Sequence, residues 1–120
     1  MRMAIEWISV DERFPHDGVP VAAAVTGRYP VDPDDPEPLS GQEFWLVLPA
    51  HFRRLHLVED TGEVVENCFI DADRVVRHPL GGRSDELVTH WAALPNLPGT
   101  DVPRVIGDGV QPALRAASGD

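Results

Sequence analysis

The side chains in this chain that could do chemistry are five histidines, one cysteine and a large set of carboxylates, and their spacing decides what they can do. A metal site needs ligands that converge. His51 and His56 are five residues apart, which points them to opposite faces of a strand and well apart around a helix. Neither geometry makes a ligand pair. Cys68 has no second cysteine to join it, and no H-E-x-x-H or C-x-x-C spacing occurs. No metal and no cofactor is therefore expected. Nucleophilic catalysis would fall to Cys68, in the stretch Glu66-Asn67-Cys68-Phe69-Ile70-Asp71. A lone thiol in such a strand-like apolar setting acts as a small buried hydrophobe. Paired carboxylates abound, at Asp34-Asp35, Glu59-Asp60 and Asp71 with Asp73. General acid–base work needs one member desolvated so that its pKa rises, and most of these pairs fall in turns and loops. No reaction class emerges. A small-ligand module or enzyme using His56, Asp71 and His90 in a cleft is kept as an alternative.

The charge balance excludes more than the motifs do. Twenty Asp and Glu face ten Arg, with no Lys, for a formal charge of −10 over 120 residues. Direct nucleic-acid binding needs a basic stripe to displace counterions, and only Arg53 and Arg54 are adjacent. An acidic surface suits solubility or a basic protein partner. No run of 18 apolar residues spans a membrane, and the start lacks the long apolar core of a signal peptide, so a cytoplasmic location is expected.

These residues must be held by short elements, because 12 Pro and 10 Gly break the chain often. Residues 4–10 read as a first strand, with Ile5, Trp7 and Ser9 on one face and Glu6, Ile8 and Val10 on the other. Val19 to Thr26 reads as a second. Residues 27–42 hold Pro30, Pro33, Pro36 and Pro38 among Asp32, Asp34, Asp35 and Glu37, an exposed acidic loop. Phe44 to Leu48 is a continuous apolar run, read as a short buried strand. Pro49 permits a helical turn to start; a strand from about Arg53 to Val58 is the preferred reading. Glu59 to Gly62 is a turn, and Glu63 to Ile70 returns as a hairpin partner. Asp71 to Val76 is a helical turn or a further short strand. Leu87 to Ala92 is the last strand. On it Val88 and His90 share one face and Thr89 and Trp91 the other, with Trp91 inward and His90 outward as a hydrogen-bonded structural residue. The fold class is α+β and β-rich: a small antiparallel sheet with short helical turns and long loops. Residues 1–100 form the domain, and 101–120 a loosely ordered tail.

Two stretches carry a resemblance. Trp7-Ile8-Ser9-Val10-Asp11-Glu12-Arg13-Phe14-Pro15 has the form W-I-S-V-x-x-R-x-P. Val88 to Pro98 has the form V-T-H-W-x-x-L-P-x-x-P. Together and in this order they resemble the domain-of-unknown-function family 551, small proteins common in bacteriophages and prophages. The resemblance covers roughly residues 6–20 and 86–98; the middle and the tail depart from it. It implies a phage or prophage origin, a location in the bacterial host's cytoplasm, and no established activity. Trp7, Arg13, Pro15, His90, Trp91 and Pro95 are then structural. Trp7 and Trp91 are expected to pack together as first and last strands meet, with the Arg13 side chain bonding carbonyls of the closing segment.

The expected function is protein–protein binding by a small acidic accessory protein. Its partner would be a host or phage protein with a basic surface, as in an inhibitor of a nucleic-acid-handling defence complex, anti-CRISPR-like or a DNA mimic. The acids offered for that surface are Asp32, Asp34, Asp35 and Glu37 in the loop and Glu59, Asp60, Glu63 and Glu66 along the hairpin. Glu63 and Glu66 are three apart, which sets them on opposite faces of a regular strand. A structural phage component or homo-oligomer, using the Phe44–Leu48 run or an open strand edge, is the other alternative.

Overall fold

Alternating small and branched residues in Pro20–Arg28 place this strand at the centre of the molecule: Val21, Ala23 and Val25 point inward and are buried. The computed structural model describes residues 5–31, 33–34, 40–82 and 85–118. Among them lie six strands: β1 (Ile8–Ser9), β2 (Pro20–Arg28), β3 (Glu43–Val58), β4 (Glu63–Asp71), β5 (Val76–Pro79) and β6 (Leu87–Ala93). A 3-10 turn at Gly107–Gly109 and one helix, α1 (Val110–Ala117), follow. The strand order is β1-β6-β2-β3-β4-β5, and every pairing in that series is antiparallel. A short parallel pairing of β5 with β6, His78 opposite Leu87 and Pro79 opposite Val88, closes β2 to β6 into a small barrel. The chain is a β-rich α+β protein. No helix among the described residues is long and apolar enough to cross a membrane.

The barrel interior is filled by Val10, Val21, Ala23, Val25, Phe52, Phe69 and Val88, with Phe44, Leu46, Leu48, Ala50 and Trp91 packed against them. Phe52 is the hub. It is 1% exposed, stacks on Phe14 at 4.8 Å between ring centres, and meets Phe69 edge-on at 5.2 Å. Such pairs add about 0.5–1.5 kcal/mol each beyond area burial.

Strand β3 runs unbroken through Pro49, so no helical turn forms there. Pro49 sits opposite Ala22 of β2, and pairing with β4 starts one residue later, at Ala50. With a strand partner on one side only, a missing N–H is tolerated. Past His51, β3 leaves β2 behind and continues with β4 alone, from Arg53–Cys68 to Val58–Glu63. This two-stranded arm projects from the barrel. It helps to make the molecule long, 53 × 37 × 30 Å, with a radius of gyration of 17.8 Å; compact packing of this many residues gives about 14 Å. Asp71 to Val75 forms a turn rather than a helix, with Arg74 in the left-handed region, and β5 is the further short strand. The expected loose tail contains structure. The Leu97 N–H donates to the Val102 carbonyl at 2.8 Å, and α1 carries Val110, Ala113, Leu114 and Ala117 along one stripe, although none of its residues is buried.

Candidate functional site

The site is built on an irregularity in β6. Ala24 pairs with His90, but its neighbour Val25 pairs with Val88, so Thr89 is one residue too many for β2. The backbone bonds locate the same bulge. Successive carbonyls of a regular strand serve opposite edges, yet Val88 and Thr89 both accept from the same side, from the Leu80 N–H of the β5 end at 2.9 Å and the Val10 N–H of the β1 end at 3.1 Å. The bulge therefore hands this edge of β6 from β5 to β1. It also resets which side each residue faces. Val88 is inside with Trp91, and His90 is outside, so Val88 and His90 do not share a face as regular alternation requires.

On the outer face the bulge, β1, β2 and β3 frame a groove of about 300 Å³, lined by Trp7, Ala24, Trp45, Leu46, Val47 and His90. The small Ala24 forms its floor. Trp45 is 68% exposed and Trp7 39%, yet Trp45 is fixed: its Nε1–H donates to Thr89 Oγ1 at 3.1 Å. Thr89 Oγ1 also lies 3.3 Å from the Ala24 carbonyl and 2.9 Å from His90 Nδ1. A hydroxyl has one proton. When it goes to Ala24, His90 donates from Nδ1 and its neutral ring keeps Nε2 as an acceptor. The Trp45 and His90 rings are 6.3 Å apart and tilted by 54°. The arrangement offers flat aromatic and apolar surface with a single imidazole. Among the described residues no three His, Cys, Asp or Glu converge as a metal site.

A second, more polar groove of about 640 Å³ lies at the base of the arm, lined by Asp17, Arg53, Arg54, Leu55, Glu66 and Asn67. Asp17 is committed there: its Oδ1 accepts from the Arg54 N–H at 2.8 Å and lies 3.9 Å from Arg53 Nε. A third polar cluster is structural. Arg77 donates to Asp71 Oδ2 at 2.6 Å and to Glu86 at 3.5 Å, and Asp71 Oδ1 accepts from the Asp73 and Val75 N–H groups. Burial pushes the Asp71 carboxyl up, but the Arg77 bond, the two N–H groups and the Arg77 charge outweigh it and hold the pKa below the usual value. Cys68 is buried; desolvation pushes its thiol up, with the Arg53 charge opposing.

The residues singled out in the sequence are dispersed. Asp32, Asp35 and Glu37 lie outside the described residues, and Asp34 is exposed. Glu59 and Asp60 sit exposed at the tip of the arm. Glu66 pairs with Leu55 and Glu63 with Val58, which puts the two acids on opposite faces of the ribbon. His56 pairs with Val65 in the arm, His90 lines the outer groove and Asp71 is tied to Arg77, so the three do not share a cleft. Strands β1 and β6 are adjacent, but Ile8 is the residue opposite Trp91. Trp7 therefore faces outward into the groove while Trp91 packs on the core, and the two indoles do not meet. Arg13 acts otherwise than expected: its carbonyl accepts from Trp91 Nε1 at 2.9 Å, and its guanidinium lies 5.9 Å from the centre of the Trp91 ring. Pro15 is buried and Pro95 exposed.

Trp45 was hidden in a run that reads as uniformly buried. The usable signal is that alternation within Phe44–Leu48 leaves Trp45 and Val47 together on one face, opposite an alanine-rich β2. Thr89 carries no sequence signal, since its role comes from the bulge. No protein-family model, no curated protein and no solved structure matches the chain.

Proposed function

We propose that the chain is a binding module without catalysis, a phage or prophage accessory protein that docks an extended segment of a partner protein across the Trp7–Trp45–His90 groove. The observation that carries this reading is Trp45, an indole 68% exposed and yet held in place by Thr89. Tryptophan is enriched at the energetic centres of protein interfaces, and a fixed ring loses little entropy on binding. Aromatic-lined grooves take proline-bearing extended segments, whose backbone is already ordered. The charge of −10 favours a segment flanked by Arg or Lys. The side-by-side pairing of β1 and β6 supports treating the two tryptophan motifs as one unit. Inhibition of a nucleic-acid-handling defence complex is the finer form of the proposal. Charge mimicry of DNA has less support, because Glu63 and Glu66 face opposite ways.

The test compares the wild type with Trp45→Ala in capture from bacterial lysate, and in indole fluorescence titrations with proline-bearing peptides flanked by Arg or by Glu. The reading expects partners and Arg-flanked peptides to be lost with the indole while the melting temperature holds. Retention of the same partners by both proteins would overturn it.

A further inference from the structure

The projecting arm has a problem that the barrel does not solve. A two-stranded ribbon is marginal in water without something to pack on. Leu57 pairs with Val64 and Leu55 with Glu66, so Leu55, Leu57 and Val64 share one face, with the Glu66 carboxylate at its base end. All three are more than half exposed, at 58%, 58% and 56%. Among the described residues, the β3 edge of the arm has no strand partner past His51, and the β4 edge has none before Phe69.

Charge is distributed unevenly along this ribbon. Its tip carries Glu59 and Asp60, with Glu63 at the closing pair, and its base carries Arg53 and Arg54 beside the polar groove. Asp17 holds Arg53 only loosely, at 3.9 Å, and Arg54 has no ion pair among the described residues. Glu66 also lines that groove, so the base is not purely basic. Tip and base are six residues apart, about 20 Å along a strand. Two arms laid antiparallel about His56 would put Glu59 of each against Arg53 of the other, with Leu55 of one beside Leu57 of its mate; Arg54 and Glu63 alternate to the opposite face. Such a contact is isologous: both copies use the same patch, and it closes.

We propose that the arm is a homodimerisation device, in which two copies pack their Leu55–Leu57–Val64 faces antiparallel and Glu59 at each tip engages Arg53 at the base of the other. The occupant of the apolar face is a second copy because the ribbon is complementary in charge to itself reversed. The proposal does not rest on the aromatic groove, which shares no residue with the arm.

The test is sedimentation of the full chain over a wide concentration range. The wild type is expected to move reversibly from 13.2 kDa to twice that mass. Base reversal (R53E) and tip reversal (E59R) each set like charges together and are expected to weaken dimerisation at least about tenfold. Mixed one to one, the two reversed proteins regain complementarity at both contacts and are expected to form a heterodimer near wild-type strength. Leu57→Asn, which leaves the charges alone, is expected to give a folded monomer by circular dichroism. A wild type that stays monomeric, folded reversal variants that still dimerise, or a mixture that fails to associate would each overturn the proposal.

Discussion

Replacing Asp71 by Asn tests the one partly buried ion cluster seen among the described residues. Asn keeps a carbonyl oxygen for the Asp73 and Val75 N–H groups but removes the charge beside Arg77. Arg77, with only 13% of its side chain exposed, is then left with Glu86 at 3.5 Å, and its Nε–H has no partner among the described residues. Removing one partner of a buried pair costs about 3–5 kcal/mol. Because Glu86 remains, the expected loss is at the lower end, about 3 kcal/mol by urea unfolding at pH 7. Removing the second charge as well, in D71N/R77M, is expected to bring stability back to within about 1 kcal/mol of the wild type. Acid supplies a second readout. The folded pKa of Asp71 lies below its unfolded value of about 3.9. Its contribution is therefore complete above that value and lost as pH falls through the folded pKa. The gap between wild type and D71N should stay constant from neutral pH to about 5 and close below about 4. The gap, rather than either curve, is the quantity to follow, since the other carboxylates titrate in both proteins. A D71N protein as stable as the wild type, a double variant no better than the single, or a gap that widens in acid would refute the reasoning.

Phe52→Ala should cost about 3–5 kcal/mol, enough to unfold a marginal domain, and Phe14→Ala clearly less, as that ring is partly exposed; equal losses in urea melts would contradict Phe52 as the hub. Cys68 should resist a thiol reagent in the native protein and react at the rate of unfolding, so rapid labelling without denaturant would mean the β4 segment opens locally. Trp7→Ala and Trp91→Ala should add to within about 0.5 kcal/mol when combined, because the indoles lie on opposite faces; a coupling above about 1 kcal/mol would show shared packing.

Much of the strand content was legible because local rules and the final packing agree. Val19 to Thr26, Glu63 to Ile70 and Leu87 to Ala92 all emerge within two residues of their expected ends, whereas the runs expected at Phe44–Leu48 and Arg53–Val58 fuse into the single strand β3. The Glu59–Gly62 turn is marked by its polar residues and by Gly62, whose φ of 72° suits glycine. Pro49 misled because a strand with one partner at that point does not need its N–H. The closure of the barrel was not legible: β5 is four residues long, and its parallel pairing with β6 is a non-local event with no pattern of its own. The groove was missed for a related reason. Alternation was assigned along β6 by counting in twos, and a bulge changes the count without changing the composition. The acids were legible as charge, and their spacing of three already set Glu63 and Glu66 on opposite faces, as the hairpin register has them.

The extra residue in β6 also determines which genetic lesions this segment survives. Losing the Thr89 codon would straighten the strand without transposing it, because Val88 and His90 keep Val25 and Ala24 as partners and regular alternation then leaves Val88 and Trp91 inside and His90 outside. The damage would fall on the hydroxyl that holds Trp45 and on the carbonyl that accepts from Val10. Half of the side chains here are accessible, so conservative replacements should pass. One added codon would instead transpose every side chain on one side of it, so at this point the sheet tolerates a loss better than a gain.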